Sequence, residues 1–258
     1  MIYQTISVSN SDCVAIVTLD RPDTMNALTQ QMRAEITDAV IDAGRNARVV
    51  VLTGAGKAFC SGQDLGDGGS AASMDLERGL RDEYTPMIRA IRDCPVPTIS
   101  AVNGAAAGAG ANLALAADVV IAAQSAYFLQ AFARIGLMPD AGGTYVLPRA
   151  MGMAKAMGAA LFADRISARQ ADDWGLIWES VGDDAFDAHW RERAAHLANG
   201  PTQAYARIKQ AMRESWDKDW MGQMENEARL QGRLGKTRDF QEGVLAFLEK
   251  RPANYEGR

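Results

Sequence analysis

Two stretches of small residues follow predicted buried strands and could bring backbone N–H groups close to a ligand. They span residues 54–65 (GAGKAFCSGQDL) and 103–113 (NGAAAGAGANL). Glycine and alanine allow close approach to the main chain, and two converging N–H groups can stabilise a developing oxyanion. The second stretch also leads into a predicted helix, whose N-terminus carries partial positive charge. Tight packing of a helix on a sheet explains the same small residues equally well.

A carboxylate stands on a third turn, residues 139–144 (PDAGGT), just before another predicted helix. Asp140 fits the N-cap of that helix, because Asp is among the preferred capping residues. It also fits a general base, which needs one carboxylate placed near a reacting group. The residues alone leave both interpretations open.

Other catalytic motifs are incomplete. Gly54-Ala55-Gly56-Lys57 lacks the remaining residues of a phosphate-binding loop, and Leu113 stands where a dinucleotide fingerprint needs its third glycine. His189 and His196, seven apart on a predicted helix, are expected on a solvated face. Neither a metal site nor a Ser-His-Asp triad is therefore expected.

Composition narrows the class of protein further. The 258 residues are 48% apolar and carry a net charge of −5, which disfavours nucleic acid and anionic membranes as partners. The start of the chain has no signal-peptide pattern, and no stretch matches a membrane span. Three dispersed cysteines are expected to be small buried hydrophobes of a cytoplasmic protein.

The hydrophobic pattern predicts an α/β fold. A strand pair fills the first 25 residues, Thr29 can cap a helix, and buried strands at 49–52, 98–102 and 119–121 alternate with helices. Residues 66–74 are expected to form a mobile loop. After Gly200-Pro201 only helical segments follow, at 201–216, 219–234 and 238–250. We therefore expect a core at 1–198 and a helical unit at 199–258.

Three ordered motifs resemble the crotonase, or enoyl-CoA hydratase/isomerase, superfamily. Residues 59–65 and 101–113 are similar to its two oxyanion loops, and 135–144 (IGLMPDAGGT) to its catalytic turn. The resemblance covers the chain from about residue 5 to its end. It implies a spiral of β-β-α turns and a helical C-terminal unit that mediates homotrimers, which usually pair into homohexamers.

The resemblance also implies an acyl-CoA thioester substrate, with CoA entering as part of the substrate and no further cofactor. The oxyanion donors would be the backbone N–H groups of Gln63 and Ala109. The positions expected to bind substrate are Ala58, Ser61, Asp64, Leu65, Tyr84, Asn112, Phe132, Gly136 and Lys250. From the residues alone, Tyr84 and Phe132 fit core packing as well as an acyl pocket. The basic residues Lys236, Arg238, Lys250 and Arg251 could meet CoA phosphates or be solvated.

Two positions depart from the hydratases of the family. Where these use two glutamates to add water, this chain has Asn112 and Phe132. Asp140 is the remaining candidate, and one carboxylate suits isomerisation because it can remove a proton from one carbon and return it to another. That role needs a pKa raised by burial, for which Phe132, Ile135 and Leu137 are the expected apolar neighbours.

Residues 101–178 are most similar to the branch of the family that isomerises ring-1,2-epoxyphenylacetyl-CoA in phenylacetate degradation. The sequence therefore predicts an isomerase with Asp140 as its acid/base and that epoxide as substrate. A Δ3-Δ2-enoyl-CoA isomerase or hydratase-like enzyme of fatty-acid oxidation is the alternative. Dehalogenation with an Asp nucleophile, or a non-catalytic acyl-CoA- or RNA-binding relative, is less well supported.

Overall fold

The computed structural model describes residues 2–66 and 75–258, so the predicted mobile loop at 66–74 lies, apart from Gly66, outside the described residues. The strands are β1 Ile6–Ser11, β2 Val14–Leu19, β3 Val49–Gly54, β4 Ala58–Cys60, β5 Thr98–Val102, β6 Ala105–Ala107, β7 Val119–Ala123, β8 Tyr127–Leu129, β9 Arg165–Ser167 and β10 Glu179–Val181. The helices are α1 Gln30–Asn46, α2 Leu76–Gly79, α3 Thr85–Arg92, α4 Ala109–Ala114, α5 Gly143–Phe162, α6 Ala168–Asp173, α7 Asp183–Ala198, α8 Thr202–Glu214, α9 Trp220–Leu234 and α10 Arg238–Glu249. A π-helical turn, Leu80–Tyr84, joins α2 to α3.

The strands form two sheets that the chain visits in turn. One sheet has the order β1-β2-β3-β5-β7-β10 and the other β4-β6-β8-β9. Three pairs of consecutive strands, β3/β4, β5/β6 and β7/β8, each place their first strand in the larger sheet and their second strand in the smaller one, and a helix follows each pair. The first strands of the three pairs lie parallel to one another, and so do the second strands. This arrangement is the predicted spiral of β-β-α turns, and it stacks the turns that end β4, β6 and β8.

Local signals explain why the early elements form. The side chain of Thr29 accepts a hydrogen bond from the Met32 N–H at 3.1 Å, so the predicted cap of α1 is confirmed. Residues 49–52 are buried on both faces of the larger sheet, as their uninterrupted β-branched run predicts. The helices predicted after residue 200 are present, with a short 3₁₀ turn at Ser215–Asp217 after α8.

Two residues, Cys13 and His189, differ from their predicted environments. Cys60 and Cys94 are buried, but Cys13 is exposed in the turn between β1 and β2. His196 is exposed, whereas His189 is partly buried and lies 2.7 Å from a Glu179 carboxylate oxygen. Within residues 2–66 and 75–258, none of the helices has the length and apolar character to span a bilayer.

Candidate active site

A cavity of about 480 Å³ opens between the segment before and within α3 and the turn before α5. One wall consists of Leu76, Leu80, Tyr84, Thr85, Ile88 and Arg89, and the other of residues 137–142 together with Thr144. The walls are mostly apolar, and Asp140 contributes a carboxyl group to them. A cavity of this kind suits an apolar acyl group beside one acid/base residue.

Asp140 does not cap α5, so the N-cap interpretation is wrong. The cap residue is Gly142, which makes no side-chain capping bond, and the Gly143 N–H donates to the backbone carbonyl of Asp140 at 2.8 Å. Ala141 and Gly142 both have left-handed backbones, with φ of 46° and 87°. These two residues place the start of the helix after Asp140, and Asp140 lines the cavity.

The Asp140 carboxyl group is poorly solvated. Its Oδ1 atom is buried and has no hydrogen-bond partner among the described residues. Loss of hydration raises the pKa of Asp140 from 3.8 to about 6, against a smaller lowering by its own backbone N–H. At neutral pH the group is mostly ionised, yet close enough to its pKa to take up and return a proton.

The apolar neighbours of Asp140 differ in part from those predicted. Leu137 lines the cavity as expected. Ile135 is instead 60% exposed, because it ends a short 3₁₀ helix on the surface. Phe132 is buried beside Gly108, whose added Cβ would lie 3.9 Å from the phenylalanine ring. Ile88 and Met138 supply apolar cavity wall that the sequence pattern did not indicate.

The two predicted oxyanion donors lie on adjacent pieces of backbone. The Leu28 N–H donates to the Gly62 carbonyl oxygen, and the Asp64 N–H donates to the Leu28 carbonyl oxygen. Because successive N–H groups of an extended segment point to opposite sides, the Gln63 N–H points away from Leu28. Ala109 is the first residue of α4, where N–H groups lack helical partners. Neither N–H has an acceptor among the described residues.

Glycine permits this close approach of the two loops. Gly62 has φ of 98°, and a Cβ there would lie 2.8 Å from the Ala107 carbonyl oxygen and 3.5 Å from the Ala109 nitrogen. Packing also requires small residues, because a Cβ on Gly110 would lie 2.3 Å from the Cys60 carbonyl oxygen. The packing and oxyanion interpretations of these loops are therefore compatible.

Tyr84 joins one oxyanion loop to the cavity. It is 4% exposed, so it is a core residue that also lines the cavity. Its hydroxyl donates to the Gln63 side-chain oxygen at 2.6 Å, and the Arg33 guanidinium lies 4.7 Å from its ring centre. Arg33 is itself held by Glu83. Tyr84 is the last residue of the π-helical turn.

Asn112 lies directly behind the catalytic turn. It is 2% exposed, and its side chain donates to the Asp140 carbonyl oxygen at 2.8 Å and accepts from Gln130 at 3.0 Å. Gln130 is a site residue that the sequence did not indicate. The structure thus links Gln63 with Tyr84, and Gln130 with Asn112 and Asp140.

The other predicted substrate-binding residues are less directly placed. Ala58 is buried in β4, and the Ser61 N–H donates to the Met25 carbonyl oxygen. The Asp64 carboxylate pairs with Arg21 at 2.8 Å, which lowers its pKa. Leu65 and Gly136 are exposed.

The basic residues near the C-terminus lie apart from this cavity. Lys250 is exposed and ends α10 in a left-handed conformation. Arg251 is engaged by Glu242 and Glu249, and Lys236 and Arg238 line a separate depression with Arg233 and Arg258. A role for these residues in binding CoA remains a prediction.

Comparison with known proteins agrees with this architecture. Residues 9–258 match the family model described as enoyl-CoA hydratase/isomerase. The chain is 60% identical to a "Probable enoyl-CoA hydratase" of Rhodobacter capsulatus over the full length of both, and 42% identical to the 1,2-epoxyphenylacetyl-CoA isomerase of Escherichia coli over 95% of each. The crystal structure of an enoyl-CoA hydratase from Bacillus anthracis superposes with a TM-score of 0.91 at 32% identity, covering 99% of this chain and all of the other.

The chain belongs to the enoyl-CoA hydratase/isomerase family and has the crotonase fold, as its three motifs predicted.

Proposed function

We propose that this protein is an acyl-CoA isomerase in which Asp140 is the single acid/base and the N–H groups of Gln63 and Ala109 stabilise the enolate. The observation that carries the proposal is the partly buried Asp140 side chain in the wall of an apolar cavity, with Oδ1 buried and free of partners among the described residues. Its raised pKa, about 6, fits a group that alternates between base and acid.

The chemistry needs one proton and no added atom. With a 3-enoyl thioester, the Asp140 carboxylate removes a proton from C2, and the electron pair of that bond moves into the thioester to form an enolate. The enolate oxygen accepts hydrogen bonds from the two N–H groups. Protonated Asp140 then returns the proton to C4, so that the double bond ends between C2 and C3.

As the preferred substrate we propose 1,2-epoxyphenylacetyl-CoA. Its conversion into a seven-membered oxepin thioester also begins with loss of a proton beside the thioester and ends with proton return to the ring. The apolar cavity walls and the 42% identity to the Escherichia coli isomerase support this assignment. A linear 3-enoyl-CoA is the second candidate, since the same groups serve it.

Hydration is the main competing activity, favoured by the name of the Rhodobacter capsulatus relative. Adding water needs one group to activate the water and another to protonate C2. Asn112 and Phe132 occupy the positions where the family's hydratases carry glutamates, and neither exchanges protons near neutral pH. Among the residues described along the cavity, Asp140 is the carboxylate available.

We also propose that copies of the chain assemble into trimers or hexamers through the C-terminal helices. Support comes from apolar side chains left on the surface of α10, including Phe247 at 82% and Leu248 at 71% exposure.

The function is tested by comparing kcat/KM for 1,2-epoxyphenylacetyl-CoA and trans-3-hexenoyl-CoA in the wild type and in Asp140→Asn. We expect isomerised products from both substrates, higher kcat/KM for the epoxide, and loss of at least about 1,000-fold in the variant. Asp173→Asn, which changes an exposed carboxylate on α6, is the matched control and should keep full activity. Full activity of Asp140→Asn would refute the acid/base assignment, and preference for the linear substrate would refute the epoxide.

A further inference from the structure

Two buried amide side chains connect the end of β8 to the catalytic turn. Gln130 directly follows β8 and is 1% exposed, and Asn112 lies on α4 and is 2% exposed. Gln130 Nε2 donates to Asn112 Oδ1 at 3.0 Å, and Asn112 Nδ2 donates to the Asp140 backbone carbonyl at 2.8 Å. The two side chains and the Asp140 carbonyl therefore form one directed series of hydrogen bonds.

The direction of this series follows from its last member. A backbone carbonyl only accepts hydrogen bonds, so Asn112 must present its NH₂ group to Asp140. Its oxygen then faces Gln130, which must in turn present its own NH₂ group. The Gln130 Oε1 atom is left buried without a hydrogen-bond partner among the described residues, so the amide group of Gln130 is oriented towards Asn112.

Packing around Asn112 is arranged for the same contact. A Cβ on Gly143 would lie 2.5 Å from Asn112 Nδ2 and 2.9 Å from its Cγ. Gly143 has no left-handed backbone that would itself favour glycine. The absence of a side chain at 143 is therefore explained by the close approach of Asn112 to the turn.

The turn needs external support because its backbone is strained. Ala141 has φ of 46°, in a region that non-glycine residues rarely adopt and that persists only where surrounding contacts fix it. The Asp140 carbonyl accepts two hydrogen bonds, one from the Gly143 N–H inside the turn and one from Asn112 outside it. Of these two donors, Asn112 is the one outside the turn, so its hydrogen bond connects the turn to α4.

We infer that Gln130 and Asn112 form a positioning relay, which holds the Asp140 backbone so that its carboxyl group faces the reacting carbons of the acyl group. The inference rests on the proposed function of Asp140 as acid/base. Neither amide donates to the Asp140 carboxylate, so both are positioning residues and Asp140 alone exchanges the proton. The relay itself gives the carboxylate no hydrogen bond, and its own backbone N–H is the donor that stabilises its charge.

A double-mutant cycle tests the relay. Asn112→Leu and Gln130→Met keep approximate side-chain size and remove the amides. We expect kcat to fall about 10- to 100-fold in Asn112→Leu and less in Gln130→Met, with KM within about threefold of the wild type. If Gln130 acts through Asn112, Gln130→Met has no further effect in the Asn112→Leu background. Multiplying effects in the double variant would overturn the relay, as would unchanged kcat in Asn112→Leu.

Two further variants separate positioning from folding. Asn226→Leu removes a buried amide of α9 that bonds Glu214, and it should lower thermal stability without changing kcat. Asn112→Ser replaces Asn112→Leu if the latter does not fold, and the same loss of kcat is expected because serine is too short to reach the Asp140 carbonyl.

A measurement on the free protein makes the test independent of turnover. Carbon-13 NMR titration of the Asp140 carboxyl, assigned from Asp140→Asn, should show its pKa falling from about 6 towards 3.8 in Asn112→Leu, because a released turn hydrates the carboxylate. An unchanged pKa would contradict the relay. If the wild type isomerises none of the thioesters, the proposed function fails while this titration still decides the relay.

Discussion

Asp140→Asn should make the protein more stable at neutral and alkaline pH while abolishing isomerisation. The carboxyl group has a pKa of about 6 in the folded protein, against 3.8 when fully hydrated. Between these values the folded state binds more protons than the unfolded state, so the free energy of unfolding falls as pH rises. This loss of stability, caused by ionising Asp140 in the folded protein, is absent below about pH 4 and complete above about pH 7. Asparagine is never charged, so Asp140→Asn does not lose this stability.

The magnitude follows from the difference between the two pKa values. At about 1.4 kcal/mol for each pH unit, a rise of about 2 corresponds to at most ~3 kcal/mol. Asp140 is only partly buried, and solvent reaching it through the cavity screens the ionised form. We therefore expect Asp140→Asn to raise the free energy of unfolding at pH 8 by about 1–2 kcal/mol, and to leave it nearly unchanged at pH 4.

Urea unfolding at a series of pH values between 4 and 8 measures the free energy of unfolding of the wild type and of Asp140→Asn. The difference between the two values at each pH isolates Asp140, because all other titrating groups contribute equally to both proteins. Asp173→Asn serves as the control, since it removes a carboxylate that is 53% exposed and lies outside the cavity. A variant no more stable than the wild type at pH 8, or a gain of equal size at pH 4, would refute burial as the cause of the raised pKa.

The remaining predictions concern the site itself. The kcat/KM for isomerisation should fall about tenfold per pH unit below an inflection near 6, because only ionised Asp140 removes a proton, and a flat profile down to pH 4.5 would exclude this group as the base. Gly62→Ala should lower kcat by about 100- to 1,000-fold without unfolding the protein, because its Cβ meets the Ala107 carbonyl and displaces the Gln63 N–H; near-normal turnover at an unchanged melting temperature would contradict the placement of this donor. Tyr84→Phe removes the hydroxyl that donates to the Gln63 side chain, so kcat should decrease about 3- to 10-fold, whereas a change confined to KM would assign Tyr84 to binding alone.

Features with short-range sequence signals were predictable. The Thr29 cap, the strand at 49–52 and the helices after residue 200 each follow from residue type and periodicity within one element. The β-β-α spiral itself came from resemblance of the motifs, because alternating strands and helices indicate only an α/β class. The structure adds the pairing of equivalent strands that brings the two oxyanion loops together.

Features that depend on tertiary contacts were not predictable. Asp140 has the residue type of an N-cap, and only the left-handed backbones of the two following residues move the helix start beyond it. Gln130 gives no local signal, because its contact with Asn112 lies 18 residues away in the chain and depends on the pairing of β6 with β8. Tyr84 ends a π-helical turn, which the periodicity of the sequence does not indicate.

The central claim is that one carboxylate moves a proton and no water is added. It is tested most directly by incubating the wild type and Asp140→Asn with trans-3-hexenoyl-CoA in ¹⁸O-labelled water and following the product by mass spectrometry and ultraviolet absorbance. The account predicts a conjugated 2-enoyl-CoA of unchanged elemental composition, free of ¹⁸O, which forms with the wild type and not with the variant. A 3-hydroxyacyl-CoA carrying ¹⁸O, or undiminished isomerisation by Asp140→Asn, would contradict it.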